Sequence, residues 1–193
     1  MLKRVGILLS GLILVLTLLA PAEKQLGSIA KLIYLHGALI QVSLILLGLT
    51  TLFALLSLFR RKYYPLARSS LKVTTVFLTA NVLLVPIITK LTWGIFIAWQ
   101  EPRVITTFFL FALTVAVLLI TDASDNLVLN SLLCVLPGLA LILLGLNMGR
   151  VLHPVNPIGS SESLAIKACS LGIYLSALSL GIFWIWYWQK QEV

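Results

Sequence analysis

The stretch from Leu32 to Phe59 reads LIYLHGALIQVSLILLGLTTLFALLSLF and contains no Asp, Glu, Lys or Arg. A helix crosses a bilayer core of roughly 30 Å with about 20 apolar residues. This run is longer, so it tilts or projects past the membrane. Outward from it lie five further apolar blocks, at 5–20, 71–89, 104–121, 127–146 and 165–188. The first ends at Pro21, the third carries Pro86 near its end, and the fifth carries Pro137-Gly138, a predicted kink. In lipid only helices and closed barrels satisfy their own backbone, and the alternating strands of a barrel are absent. The expectation is an all-α polytopic bundle of six transmembrane helices, with 1–193 forming a single membrane domain.

Composition agrees. Of the 193 residues, 60% are hydrophobic and 10% charged, and the mean hydropathy is +1.09. Soluble domains carry about 25% charged and about 45–50% apolar residues. A chain this apolar cannot cover a water-facing surface, and it has too much to bury to stay disordered. The net charge of +8 comes from 14 Lys and Arg against 6 Asp and Glu. The cations are scattered between apolar blocks and make no basic face, so nucleic acid is excluded as a partner. Cys134 and Cys169 both lie in apolar blocks without C-x-x-C spacing. They read as small apolar side chains, too far apart along the bundle to cross-link.

Lys and Arg in short loops set orientation. Arg60-Arg61-Lys62, with Arg68 and Lys72, makes the loop between helices two and three cytoplasmic. Both termini are then cytoplasmic, in an inner or plasma membrane. Lys3-Arg4, an apolar run and Ala20-Pro21-Ala22 also resemble a signal peptide, though a retained helix is expected. In either case helix two begins at the outer face.

This topology gathers chemistry at one side. The two histidines are His36, near the outer end of helix two, and His153, in the loop before the last helix. The remaining outer loop contains Lys90, Trp93, Gly94, Phe96, Trp99, Gln100, Glu101 and Arg103. Spacing of three places Trp93, Phe96 and Trp99 on one face of a helical turn, as in an amphipathic segment lying in the interface. The plainer reading is an aromatic belt, which is the reading given to Trp184, Trp186, Tyr187 and Trp188 at the other end. Each histidine is either an ordinary hydrogen-bonded interfacial residue or a metal ligand. Two neutral imidazoles beside a planar aromatic platform suit the axial positions of an iron porphyrin. Arg103, Arg150 and Lys90 would neutralise its propionates.

The segment Trp93-Gly94, Phe96, Trp99, Gln100-Glu101, Arg103 resembles the tryptophan-rich "WWD" loop of the haem-handling proteins of cytochrome c maturation, the CcmC/CcmF/CcsA family. Pro21-Ala22-Glu23, Gly27 and Leu32-Ile33-Tyr34-Leu35-His36 are similar to the stretch that leads into the first histidine of CcmC. The motif is degenerate, with one aromatic at 95–97, Gln100 or Glu101 in place of Asp, and Pro102 before Arg103. The resemblance implies a non-enzymatic protein that binds b-type haem non-covalently and transiently at the extracytoplasmic face. His36 and His153 would be axial ligands to the haem iron. Trp93, Gly94, Phe96, Trp99, Arg103 and Arg150 would surround the cofactor. The implied partners are a haem chaperone or apocytochrome c, and subunits of an ABC transporter.

Two readings from other classes stand beside it. One is a cytochrome b-type electron-transfer subunit, the other a small permease or accessory subunit without a cofactor. The chain shows no nucleophile and base pair, no glycine-rich phosphate loop and no intramembrane carboxylate. That argues against an enzyme, an ATPase and a proton-coupled transporter.

Overall fold

The computed structural model describes residues 2–147, 149, 151, 152 and 158–191, and the side chains from Arg4 onward within them. Six helices run in sequence: α1 (Leu2–Leu19), α2 (Ala30–Phe59), α3 (Tyr64–Trp93), α4 (Pro102–Asp122), α5 (Leu127–Leu146) and α6 (Leu164–Gln189). A one-turn 3-10 helix, Arg61–Tyr63, joins α2 to α3. Among the described residues the chain forms no strand. The helices α2 to α6 are each long and apolar enough to cross a membrane, and α1 is a shorter apolar helix. The fold is a multi-pass helical membrane bundle.

At about 1.5 Å per residue, the 30-residue helices α2 and α3 reach about 45 Å and overshoot the hydrocarbon core. The third helix was expected over 71–89 and begins seven residues earlier, with a proline in its first turn. Arg68 and Lys72 therefore lie on a projecting helix and not in a loop. Arg68 pairs with Asp122, the last residue of α4, at 2.5 Å. At this same end Lys190 Nζ lies 3.8 Å from the centroid of the Trp186 ring, and Trp184, Tyr187 and Trp188 form one aromatic cluster. This end is called the Arg60 end below, and the opposite one the His36 end.

Helix α2 packs on α3, α5 and α6; α3 packs also on α4 and α6; α1 lies along α6. Apolar residues such as Ile7, Leu83, Leu119 and Ile142 are exposed. Lipid tails satisfy such side chains as well as a core would. The helices are therefore held by close packing of small residues and by interhelical hydrogen bonds. Ala38, Ala54, Ala67 and Ala177 are buried at these contacts. The hydroxyls of Thr50 and Ser70, 2.9 Å apart, join α2 to α3 at the Leu46 carbonyl. Ser57 and Ser131, 2.6 Å apart, join α2 to α5. Helix α5 continues without interruption through Pro137, and the adjacent Gly138 lets α2 approach at Thr51. Cys134 and Cys169 are free thiols on α5 and α6.

Candidate functional site

The His36 end is built from short connections that fix each helix start. Between α1 and α2 the chain turns at Glu23, whose Oε2 accepts from the amides of Gln25 at 2.8 Å and Leu26 at 2.9 Å. Two backbone bonds between Glu23 and Gly27 close the turn, and Gly27 takes φ +55°, where L side chains are strained. The Leu26 and Gln25 amides hold the Glu23 carboxyl below its ordinary pKa. Lys31 Nζ donates to the Leu18 carbonyl at 2.7 Å, satisfying an orphan acceptor at the end of α1. With α2 starting at Ala30, His36 lies about 9 Å along its axis. The fully buried Asn81 of α3 donates from Nδ2 to the His36 carbonyl at 3.1 Å. It fixes the height and rotation of that turn against its neighbour.

Two cavities meet at His36. One, of about 530 Å³, lies between α2, α4 and α6 and is lined by His36, Gln41, Arg103, Lys167, Ser170 and Tyr174, among others. The second, of about 460 Å³, opens toward the α1–α2 turn and is lined by Glu23, His36, Thr92, Trp93 and Ser160, among others. Ile33, Tyr34, Val85, Val104 and Ile158 line both. Each volume falls within the roughly 300–1,000 Å³ of small-molecule and cofactor sites. Tyr34 Oη and Ser170 Oγ are buried, with no hydrogen-bond partner among the described residues. Among the described residues no group of three or more His, Cys, Asp and Glu side chains is arranged to hold a metal ion.

The aromatic segment is not a helical turn. Trp93 is the last residue of α3, and Gly94 caps it at φ +75°. Lys90 Nζ donates to the Gly94 carbonyl at 3.1 Å, which occupies Lys90 in the cap and not in a cavity. Residues 94–101 are irregular, because the left-handed Gly94 ends one helix and Pro102 begins the next. Thr89 Oγ1 lies 2.6 Å from the Phe96 carbonyl and draws the segment back over α3. The side chains of Phe96 and Trp99 are 69% and 53% exposed, and Trp99 packs on Phe108 with ring centroids 5.1 Å apart. Of the expected aromatics, only Trp93 shares a cavity with His36.

Glu101 ties this segment to the next connection. Its side chain has 0% exposure. Its Oε1 caps α4 by accepting from Arg103 N at 3.3 Å, and its Oε2 accepts from Leu152 N at 2.7 Å. Leu152 precedes the position of His153, and Ile158 and Gly159 beyond it line the larger cavity. His153 and Arg150 themselves lie outside the described residues. The structure thus brings His36, Trp93 and Arg103 to one pair of cavities, makes Gly94 a helix cap, and leaves Phe96 and Trp99 on the surface.

Sequence reasoning missed Asn81, Lys167 and Ser170. None of the three stands in any motif. Burial of Asn81 in an apolar run is the one sequence signal for it, since an amide at membrane depth needs a partner. No family model matches the chain, and no curated protein matches it.

Proposed function

We propose that the chain is a haem-handling membrane protein of cytochrome c assembly, which binds haem and passes it on without catalysing a reaction. The observation that carries this reading is the meeting of two cofactor-sized cavities at His36, with Arg103 in one and Trp93 in the other. The residues fit the group. His36 would offer an imidazole to the iron, Trp93 a flat apolar face, and Arg103 a planar cation for a propionate. Bound haem would supply an iron that takes imidazole ligands reversibly. Asn81 holds the His36 turn, and Ile33, Val85 and Val104, which line the cavity, would pack against the macrocycle.

The second ligand in this proposal is His153, and it rests on the resemblance alone; Arg150 stands likewise. Phe96, Trp99 and Gly94 would act by shaping the loop. The His36 end would face outward from an inner or plasma membrane, with both termini cytoplasmic. The haem would be b-type and transiently held. The acceptor would be a haem chaperone or apocytochrome c, with ABC-transporter subunits as further partners.

The test is absorption spectroscopy of the protein purified in mild detergent and loaded with haem. A Soret band should appear and should shift or weaken in both His36→Ala and His153→Ala. An unchanged spectrum in both variants removes them as ligands. Asn81→Leu should weaken retention of haem while leaving the band position in place.

A further inference from the structure

The larger cavity has an open side. It lies between α4 and α6, which share no extended packing although both pack on α3. Gln41 of α2 lines the cavity and is nevertheless exposed, so the central helix is reached through the gap. Leu171 of α6 also lines the cavity and is 55% exposed on the lipid side. An amide such as that of Gln41, about 16 Å along α2, stands at the depth of acyl chains, where polar side chains need a partner.

The interior of the gap is made for an anion with an apolar body. Arg103 and Lys167 stand on its two sides, in the first turns of α4 and α6. Tyr34 and Ser170 are 4% and 7% exposed, and their hydroxyls have no partner among the described residues. Buried hydroxyls without partners cost free energy, which a ligand accepting hydrogen bonds from them would recover. Ile40, Leu171 and Tyr174 supply the apolar wall between these groups.

We propose that the gap between α4 and α6 is a portal that admits an anionic amphiphile sideways from the leaflet at the His36 end. Its carboxylate or phosphate is met by Arg103 and Lys167, and by the hydroxyls of Tyr34 and Ser170. This goes beyond the proposed function, because it concerns the route and the anion and requires no iron.

The experiment uses the full chain in vesicles of neutral lipid and metal-free protoporphyrin, a fluorescent dicarboxylate that partitions into bilayers. The wild type should bind it saturably, and should bind its uncharged dimethyl ester at least tenfold more weakly. Arg103→Gln with Lys167→Gln should weaken the dicarboxylate at least tenfold. Arg103→Lys with Lys167→Arg should retain it, which separates lost charge from lost fold. Leu171→Trp, which narrows the portal, should slow capture from pre-loaded vesicles at least fivefold. Equal binding of acid and ester by the wild type overturns the proposal without any variant. So does wild-type binding in the charge-neutral pair, or wild-type capture by Leu171→Trp. Because the probe holds no iron, it reports the portal whatever the histidines do.

Discussion

Glu101 is fully buried and accepts from two backbone amides that are distant in sequence, those of Arg103 and Leu152. Leaving a buried donor without its acceptor costs about 1–3 kcal/mol. Glu101→Gln keeps one acceptor and should lower stability by about 2 kcal/mol in reversible unfolding in detergent. It should also open the α5–α6 connection to protease, and an unchanged melt with an unchanged digest would show that the bond to Leu152 carries nothing. Gly94 is a second single-residue device. A Cβ there meets nothing nearby, so the cost of substitution is conformational and not steric. Gly94→Ala should cost about 1 kcal/mol and Gly94→Asn less, since Asn tolerates the left-handed region. Equal melting of the two variants would refute this. Glu23 has a depressed pKa, so its contribution to the turn is complete above the ordinary carboxylate value and is lost as pH falls through the lower, folded value. A carbon-13 titration of Glu23 should show a midpoint below that of a free glutamate, and a midpoint at or above it contradicts the capping geometry. Glu101 was visible in the sequence only as a poor match to an acidic motif position. Its role depends on an amide 51 residues away in the chain, which no local pattern encodes.

At the scale of elements, apolar run length was enough to place every helix, because lipid leaves the backbone no alternative. The fifth matches its expected bounds at Leu127–Leu146. Boundaries failed where charge was read as loop. Arg68 sits on α3 because Asp122 receives it, a pairing between two helices that hydropathy cannot show. The triplet spacing of Trp93, Phe96 and Trp99 suggested a turn of helix, and was overruled by Gly94 and Pro102 on either side. Pro137-Gly138 read as a kink, and its glycine is where α2 comes nearest. A Cβ on Gly138 would strike the Thr51 side chain, whose Oγ1 is held to the Leu47 carbonyl at 3.0 Å. Gly138→Ala should therefore cost about 1–3 kcal/mol, as overpacking does. Thr51→Ala should relieve most of that loss in a double-mutant cycle of unfolding free energies, and additive losses would refute the contact.

At the scale of the molecule, alternating passes put Gln25 and Arg61, which flank α2 and are both exposed, at opposite ends. In a cysteine-free background, Gln25→Cys and Arg61→Cys should react with an impermeant maleimide from opposite sides of sealed vesicles. Labelling of both from one side would overturn the topology on which the site depends. The alternation of passes was legible from the apolar runs alone. The larger cavity was not, because it arises where α4 and α6 fail to pack, and a missing contact leaves no mark on either helix. One feature of α4 bears on how the gap could change width. The helix is bolted at one tip to α3 by Asp122 and at the other, through Glu101, to the strap that follows α5. A rod pinned at both tips swings little, so breathing of the doorway falls to α6, for which the described residues show no such fastening across the gap.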